Sequence, residues 1–130
     1  EMVAAYRSDS IGLNELRRSG TQALVLSTEV NPVVAARCRK LNLEYIQGVE
    51  DKAPALARLL AQRQIDPARV IYVGNDTNDL PCFPLVGCAV VVADALPAAR
   101  RAADIVLGRP GGHGAVRELC DLLIQRKQMS

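Results

Sequence analysis

A dense group of polar side chains near the middle of the chain is the first feature that could do chemistry. It follows an apolar run at residues 70–73, which Gly74 ends, and its oxygen-bearing members are Asn75, Asp76, Asn78 and Asp79. Carboxylate and amide oxygens are the hard ligands that Mg²⁺ prefers, usually with several waters retained. The same residue types also cap helices, so the pattern by itself leaves open whether this loop binds a metal or only begins the next helix.

Two further polar positions stand beside predicted elements elsewhere in the chain. Ser27 directly follows the apolar run 22–26, and Lys52 begins a predicted helix. Enzymes that transfer a phosphoryl group need a divalent-metal site, a hydroxyl donor and a fixed cation. These groups must be preorganised to neutralise the negative charge on the phosphoryl oxygens in the transition state. Each position also has a plainer interpretation. Ser27 and Thr28 could cap a helix, and Lys52 could be solvated, although a cation in the first turn opposes the helix dipole.

Strands and helices alternate along the sequence, and this alternation must position those side chains. Apolar runs predict strands at residues 1–6, 22–26, 44–46, 70–73, 88–92 and 104–107. Amphipathic spacing and capping residues predict helices that end at Gly20, span 33–41, begin at 52, and span 97–103 and 115–127. Such alternation with short connections predicts an α/β, Rossmann-like fold with a doubly wound parallel sheet. Ligands of such sheets bind outside the carboxyl ends of the strands, which is where Ser27 and residues 74–79 fall. We therefore expect Ser27, Lys52 and residues 75–79 to converge at the carboxyl edge of one sheet, around a polar pocket.

Composition limits the classes of function. The chain has 130 residues, 49% of them hydrophobic, and a net charge of +2, which together indicate one globular domain with a sizeable core. This small charge and an aromatic content of 3% argue against nucleic-acid partners. No apolar run approaches the ~20 residues that span a bilayer, so we expect no membrane partner. The four cysteines form no CxxC pair, which is typical of reduced thiols and predicts a cytoplasmic protein.

The order of the polar motifs resembles that of a known superfamily. Leu26-Ser27, Asp51-Lys52 and residues 74–79 are similar to motifs two, three and four of the haloacid dehalogenase (HAD) superfamily. Longer runs resemble its small cap-less (C0) branch, at residues 9–12, 27–34 and 111–118. That branch contains 3-deoxy-D-manno-octulosonate 8-phosphate phosphatases and the phosphatase-like domain of N-acylneuraminate cytidylyltransferases.

The resemblance implies a role for each candidate residue. Ser27 would hydrogen-bond the phosphoryl group, and Lys52 would stabilise its charge. Substrate contacts would come from Thr28, Glu29 and Arg117. Mg²⁺ would be held by Asn75, Asp76 and Asp79. The family carries its nucleophilic Asp on the first core strand, with a second Asp two residues later as acid/base, and its C-terminal Gly-Gly segment tends to reach a neighbouring subunit in a homotetramer.

Three departures from the family pattern carry information. No Asp-x-Asp pair follows a hydrophobic strand near the N-terminus, Asn75 stands where the phosphatases usually have a metal-binding Asp, and Glu29 stands where the octulosonate phosphatases carry Arg. We therefore interpret residues 1–130 as a single HAD-like domain that is N-terminally incomplete, with the nucleophile-bearing strand expected upstream. The strands at 22–26 and 70–73 would flank that strand, so we expect them to be either separated by a slot or directly paired.

The function that follows is Mg²⁺-dependent hydrolysis of an acidic sugar phosphate, of the octulosonate or neuraminate type, through an aspartyl-phosphate intermediate. A second interpretation, favoured by Asn75, is a non-catalytic tetramerisation domain fused to, or partnering, a sialic acid cytidylyltransferase. A third is a phospho-acceptor receiver domain, against which the Gly111-Gly112 segment argues. His113, the only histidine, is interpreted as a solvated loop residue.

Overall fold

The computed structural model describes residues 14–109 and 115–129. Its strands are β1 (Leu24–Leu26), β2 (Glu44–Ile46), β3 (Ile71–Gly74), β4 (Cys88–Val91) and β5 (Ile105–Val106). Its helices are α1 (14–18), α2 (Pro32–Lys40), α3 (Lys52–Gln62), α4 (Pro97–Ala102) and α5 (Ala115–Met129). Two 3₁₀ segments lie on either side of β3, at Pro67–Arg69 and Thr77–Leu85.

The predicted alternation of strands and helices is confirmed, and the boundaries differ from the prediction by one or two residues at most ends. The strand expected at residues 1–6 and the segment of Gly111, Gly112 and His113 lie outside the described residues. The largest difference follows β3, where the polar loop was expected to lead into a helix. The chain instead forms the 3₁₀ segment Thr77–Leu85, which contains two prolines. Proline lacks the N–H that an α-helix needs in its interior, so Pro81 and Pro84 disfavour an α-helix here.

Helix α2 shows how local sequence sets an element beside the first candidate residues. The side chain of Asn31 accepts hydrogen bonds from the backbone N–H groups of Val33, at 2.9 Å, and Val34, at 3.3 Å. Pro32 occupies the first helical position, where its fixed φ suits the helix and its missing N–H costs nothing. The chain therefore turns from strand to helix only a few residues after Ser27.

The strands form two parallel sheets. β1 pairs with β2, and β3, β4 and β5 pair in that order. Parallel neighbours require crossover connections, which α2 and the Thr77–Leu85 segment supply for the first pair of each sheet. No pairing joins β1 to β3 in the described part of the chain, so the direct pairing considered above is not found there. The upstream strand expected between them stays a prediction.

The core is centred on β4. Ala89, Val90 and Val91 are at most 1% exposed, as expected for a central strand with both faces covered. β3 differs, because Tyr72 and Gly74 are buried while Ile71 and Val73 are 37% and 40% exposed. Successive strand side chains point to opposite faces, so among the described residues only one face of β3 is packed. That packed face carries Tyr72 toward the loop of polar residues.

No helix among the described residues is both long enough and apolar enough to cross a bilayer.

Candidate functional site

The carboxylate of Asp79 is the centre of a buried hydrogen-bond network. The Asp79 side chain is 1% exposed, and its Oδ1 accepts from the ammonium of Lys52 at 2.9 Å and from the hydroxyl of Tyr72. Its Oδ2 accepts from the backbone N–H groups of Asn75 at 3.0 Å and Asp76 at 3.2 Å. An ionised carboxylate offers about four lone-pair sites, so these four donors can occupy all of them.

Three elements bring these groups together. Lys52 is the first residue of α3, Tyr72 lies on the packed face of β3, and Asp79 is in the first turn of the 3₁₀ segment that follows. Asp76 and Asp79 form a reciprocal capping box at the start of that segment, as oxygen-bearing residues at such positions do. The predicted convergence of Lys52 with the 74–79 loop is therefore seen in the structure.

Gly74 is required by this arrangement for reasons of space. A Cβ at position 74 would lie 2.7 Å from the Cβ of Asp79 and 2.8 Å from its Cγ. Both distances are far below ordinary van der Waals contact. The end of β3 can therefore pass the Asp79 side chain only where no side chain stands at position 74.

The charges of the network are fixed by its contacts. Burial raises the pKa of the Asp79 carboxyl, but the hydrogen bonds from Tyr72, Asn75 and Lys52 outweigh burial and hold that pKa below its ordinary value. Burial and the neighbouring Asp79 carboxylate raise the pKa of Tyr72 far above its ordinary value. Asp79 is thus an anion at neutral pH, and Tyr72 is a neutral hydroxyl that can only donate to it. Lys52 and Asp79, each with a side chain 1% exposed, form a buried ion pair.

Ser27 lies at the carboxyl end of β1 and is 3% exposed. Its backbone N–H donates to the carbonyl of Ile46 at 2.9 Å, and its carbonyl accepts from Val49 N–H at 3.0 Å. The Ser27 Oγ accepts from the N–H of Glu29 at 3.1 Å. This bond uses an acceptor position of the hydroxyl, and the O–H itself is a donor. Ser27 therefore has the chemistry of a phosphoryl hydrogen-bond donor at a strand end.

The other candidate residues are not among the four donors to Asp79. Thr28 is half-buried and Glu29 is exposed, directly after Ser27. Arg117 lies on α5, where its Nε donates to the carboxylate of Asp121 at 2.9 Å and 3.1 Å. The expected convergence of Ser27, Lys52 and residues 75–79 at the edge of one sheet is only partly seen, because Ser27 ends a strand of the β1–β2 sheet and the 74–79 loop follows the other sheet. A cavity of about 470 Å³ beside β1, β2 and α3 is lined by Asp51 but not by Ser27, Lys52 or Asp79.

The loop after β3 fits part of a Mg²⁺ site by its donor chemistry. Asn75 is half-buried and Asp76 is exposed, and both carry side-chain oxygens at the end of the strand. Asp79 is engaged by four protein donors, so its assignment as a ligand stays a prediction. Within the described residues no group of three or more His, Cys, Asp or Glu side chains could hold a metal ion. Mg²⁺ commonly binds through one or two carboxylates and keeps waters, so Asn75 and Asp76 suit it as partial ligands.

Tyr72 is the member of the network that the sequence did not indicate. It lies inside an apolar run, where an aromatic residue predicts burial and nothing more. A buried tyrosine hydroxyl usually needs a hydrogen-bond partner, and this requirement was the available signal.

Comparison with known proteins places these observations in a family context. A family model described as haloacid dehalogenase-like hydrolase matches residues 26–119. The 3-deoxy-D-manno-octulosonate 8-phosphate phosphatase of Escherichia coli (strain K12) is 37% identical over 125 residues, which cover 95% of this chain. The same alignment spans only 66% of the length of that relative.

Solved structures share the fold as well. A HAD-family hydrolase from Streptomyces avermitilis is 50% identical, with a TM-score of 0.88. The match covers 93% of this chain and 70% of that one. The 3-deoxy-D-manno-octulosonate 8-phosphate phosphatase of Moraxella catarrhalis was solved with magnesium, phosphate and KDO. It is 31% identical with a TM-score of 0.88, and the match covers 94% of this chain and 71% of that one.

Proposed function

The chain belongs to the haloacid dehalogenase-like hydrolases, and from this premise we propose that it is part of a Mg²⁺-dependent phosphomonoesterase acting on an acidic sugar phosphate. The observation that carries the proposal is the buried Lys52–Asp79 pair at the end of β3. A cation fixed in a water-poor site is preorganised for the charge that develops on a transferring phosphoryl group. Lysine side chains are usually exposed to solvent, so the burial of Lys52 distinguishes it from an ordinary surface lysine.

In this proposal each candidate residue has one task. Lys52 neutralises charge on the phosphoryl oxygens, and the Ser27 hydroxyl donates a hydrogen bond to one of them. Asn75 and Asp76 supply oxygens to Mg²⁺, with Asp79 holding their loop in place. When bound, Mg²⁺ neutralises part of the negative charge on the phosphoryl oxygens.

The nucleophile lies outside residues 1–130 in this proposal. An Asp carboxylate on a strand between β1 and β3 would attack phosphorus and form the aspartyl-phosphate as the P–O bond to the sugar breaks. The second Asp would protonate the departing oxygen, so that the sugar leaves as an alcohol. Water would then hydrolyse the aspartyl-phosphate and release inorganic phosphate. The lack of any pairing between β1 and β3 among the described residues is compatible with a strand in that position.

The substrate class rests on the relatives. The phosphatases of Escherichia coli and Moraxella catarrhalis named above are described as acting on 3-deoxy-D-manno-octulosonate 8-phosphate. For this chain we propose an octulosonate- or neuraminate-type phosphate, contacted by Thr28, Glu29 and Arg117, in a cytoplasmic homotetramer. The relatives named here give no support to the tetramerisation domain of a sialic acid cytidylyltransferase, so we do not carry that alternative further.

The test is phosphate release by the full-length protein. We expect kcat/KM on 3-deoxy-D-manno-octulosonate 8-phosphate or an N-acylneuraminate phosphate to exceed that on glucose 6-phosphate by roughly 100-fold, because a neutral sugar lacks the carboxylate contact. EDTA should abolish turnover and added Mg²⁺ should restore it. Absence of phosphate release from every substrate in the presence of Mg²⁺ would refute the proposal.

A further inference from the structure

Tyr72 is a buried hydroxyl to which none of the roles above assigns a task. The residue is 9% exposed, and its ring packs edge-on against Phe83 with centroids 6.1 Å apart and an interplanar angle of 61°. The backbone of β3 and the ring of Phe83 thus fix where the hydroxyl lies. That hydroxyl donates to Oδ1 of Asp79, the oxygen that also receives Lys52.

The described donors to Asp79 differ in how firmly they are anchored. The N–H groups of Asn75 and Asp76 belong to the same loop as Asp79, and this loop is tied to the rest of the chain through the Asn75 carbonyl, which accepts from Leu96 N–H at 3.2 Å. The ammonium of Lys52 stands on a flexible four-carbon stem. Tyr72 donates from a strand that is paired to β4 along its whole length. Among the four donors, the tyrosine hydroxyl is the side-chain donor that stands on a strand of the sheet.

We propose that Tyr72 is a positioning residue of the phosphoryl site: its hydroxyl fixes the Asp79 carboxylate and, through it, the Lys52 ammonium. This inference rests on the proposed phosphatase function. A cation that has shifted still attracts a ground-state phosphate, since Coulomb attraction changes slowly with distance. The transition state is more demanding, because its stabilisation depends on charges already placed where new charge develops.

The experiment replaces Tyr72 by phenylalanine in the full-length enzyme. Y72F keeps the ring and its contact with Phe83 and removes only the hydroxyl. We expect kcat to fall roughly 10-fold with KM changed less than about twofold, as for loss of an interaction made mainly in the transition state. The matched control is S19A, since it also removes a single hydroxyl, whose hydrogen bond to the carbonyl of Leu16 at 2.6 Å involves none of the proposed site residues. Its kinetic constants should stay close to those of the wild type.

Inhibition constants separate positioning from a purely structural role. Orthovanadate mimics the five-coordinate transition state, whereas inorganic phosphate mimics the ground state. We expect the Ki of orthovanadate to rise roughly 10-fold in Y72F and that of phosphate to change less than about twofold. Partial unfolding would lower apparent kcat but would leave both Ki values unchanged, because only folded molecules bind inhibitor.

The outcomes are distinct. A wild-type enzyme that releases no phosphate would overturn the proposed function, and the positioning role with it. An active wild type with unchanged kcat and unchanged Ki values in Y72F would overturn the positioning role alone. Equal rises in the Ki values of vanadate and phosphate would also overturn it, because they would show general loss of binding.

Discussion

The loops that follow β1 and β3 both leave the carboxyl end of a parallel strand, yet they are held in different ways. After β3, donors from α3, β3 and the loop itself converge on the carboxylate of Asp79, which is 1% exposed. After β1, backbone bonds prevail: Ser27 N–H donates to Ile46 at 2.9 Å, and Gly48 N–H donates to Glu29 at 3.1 Å. Val30 in this loop is 70% exposed.

Under the proposed function, the two loops would have different roles. A loop held by side chains depends on the identity of those side chains, and its charges cannot move without breaking several bonds. A loop held by its backbone keeps its shape when its side chains change. Glu29 can therefore differ from the residue of a relative without loss of the loop, which suits a position that selects substrate. The loop after β3 suits the chemical step that substrates share.

The largest effect should come from removing the cation of the side-chain-held loop. In Lys52→Ala, the carboxylate of Asp79 stays buried without its counter-charge. Breaking a buried pair in this way costs about 3–5 kcal/mol of unfolding free energy. Turnover should fall by roughly 10²–10³-fold, as it does when one preorganised transition-state donor is lost. Denaturant unfolding and phosphate-release assays measure the two effects.

The matched control is Lys40→Ala at the end of α2, where the lysine is exposed. We expect its stability to lie within about 0.5 kcal/mol of the wild type and its turnover to be unaffected. Wild-type turnover in Lys52→Ala would show that the buried cation takes no part in the reaction. The proposed functional difference between the two loops would then be wrong.

A smaller effect is expected from adding charge to the same loop. Asn75→Asp turns a neutral amide oxygen into a carboxylate at a proposed Mg²⁺ ligand, so the Kd for Mg²⁺ should decrease roughly 10-fold. Turnover should be equal or higher. Isothermal titration calorimetry measures the affinity. Asn78→Asp is the control, since it adds the same charge at an exposed position of the loop. Unchanged affinity in Asn75→Asp, or an equal gain in Asn78→Asp, would show that Asn75 is not a ligand.

The smallest effect should come from the backbone-held loop. Ser27→Ala removes the acceptor of the Glu29 N–H, but the bonds to Ile46 and Val49 remain. We expect a loss of about 1 kcal/mol in unfolding free energy and a roughly 3–10-fold decrease in kcat/KM. Ser19→Ala is the control, because the Ser19 hydroxyl also makes a local bond, to the carbonyl of Leu16 at 2.6 Å. That variant should lose similar stability and no activity, whereas equal activity in both variants would mean that Ser27 does not contact phosphate.

Much of the fold could be predicted from the sequence because it depends on local pattern. The apolar runs at 22–26, 70–73 and 88–92 predicted β1, β3 and β4, and the helix predicted over 33–41 is α2, shifted by one residue at each end. The proximity of Lys52 to the 74–79 loop also followed, because both were predicted at strand ends or helix starts. Predicting this part of the site required only the order of the elements and the rule that ligands bind at the carboxyl ends of parallel strands.

The contacts that distinguish Asp79 from the other polar residues of the loop could not be predicted in the same way. Asn75, Asp76 and Asp79 have similar side chains, and all three were predicted to be metal ligands. What separates Asp79 is its contact with Lys52, which lies 27 positions earlier in the chain. The role of Tyr72 is equally invisible in sequence, because a tyrosine in an apolar run predicts where the ring lies but not what its hydroxyl meets. Such assignments depend on long-range contacts rather than on residue type.

The tight passage of Gly74 beside Asp79 has a consequence for how the site moves in time. A Cβ at position 74 would lie 2.7 Å from the Cβ of Asp79, so the strand end and the Asp79 side chain are in close contact. The Asp79 carboxylate accepts from the Asn75 and Asp76 amides and from Lys52, so we expect its displacement to expose both amide hydrogens and to break the ion pair in the same event. The hydrogen-exchange rate of those two amides should therefore report how often the site opens. Each opening would separate the charges on which the proposed catalysis depends.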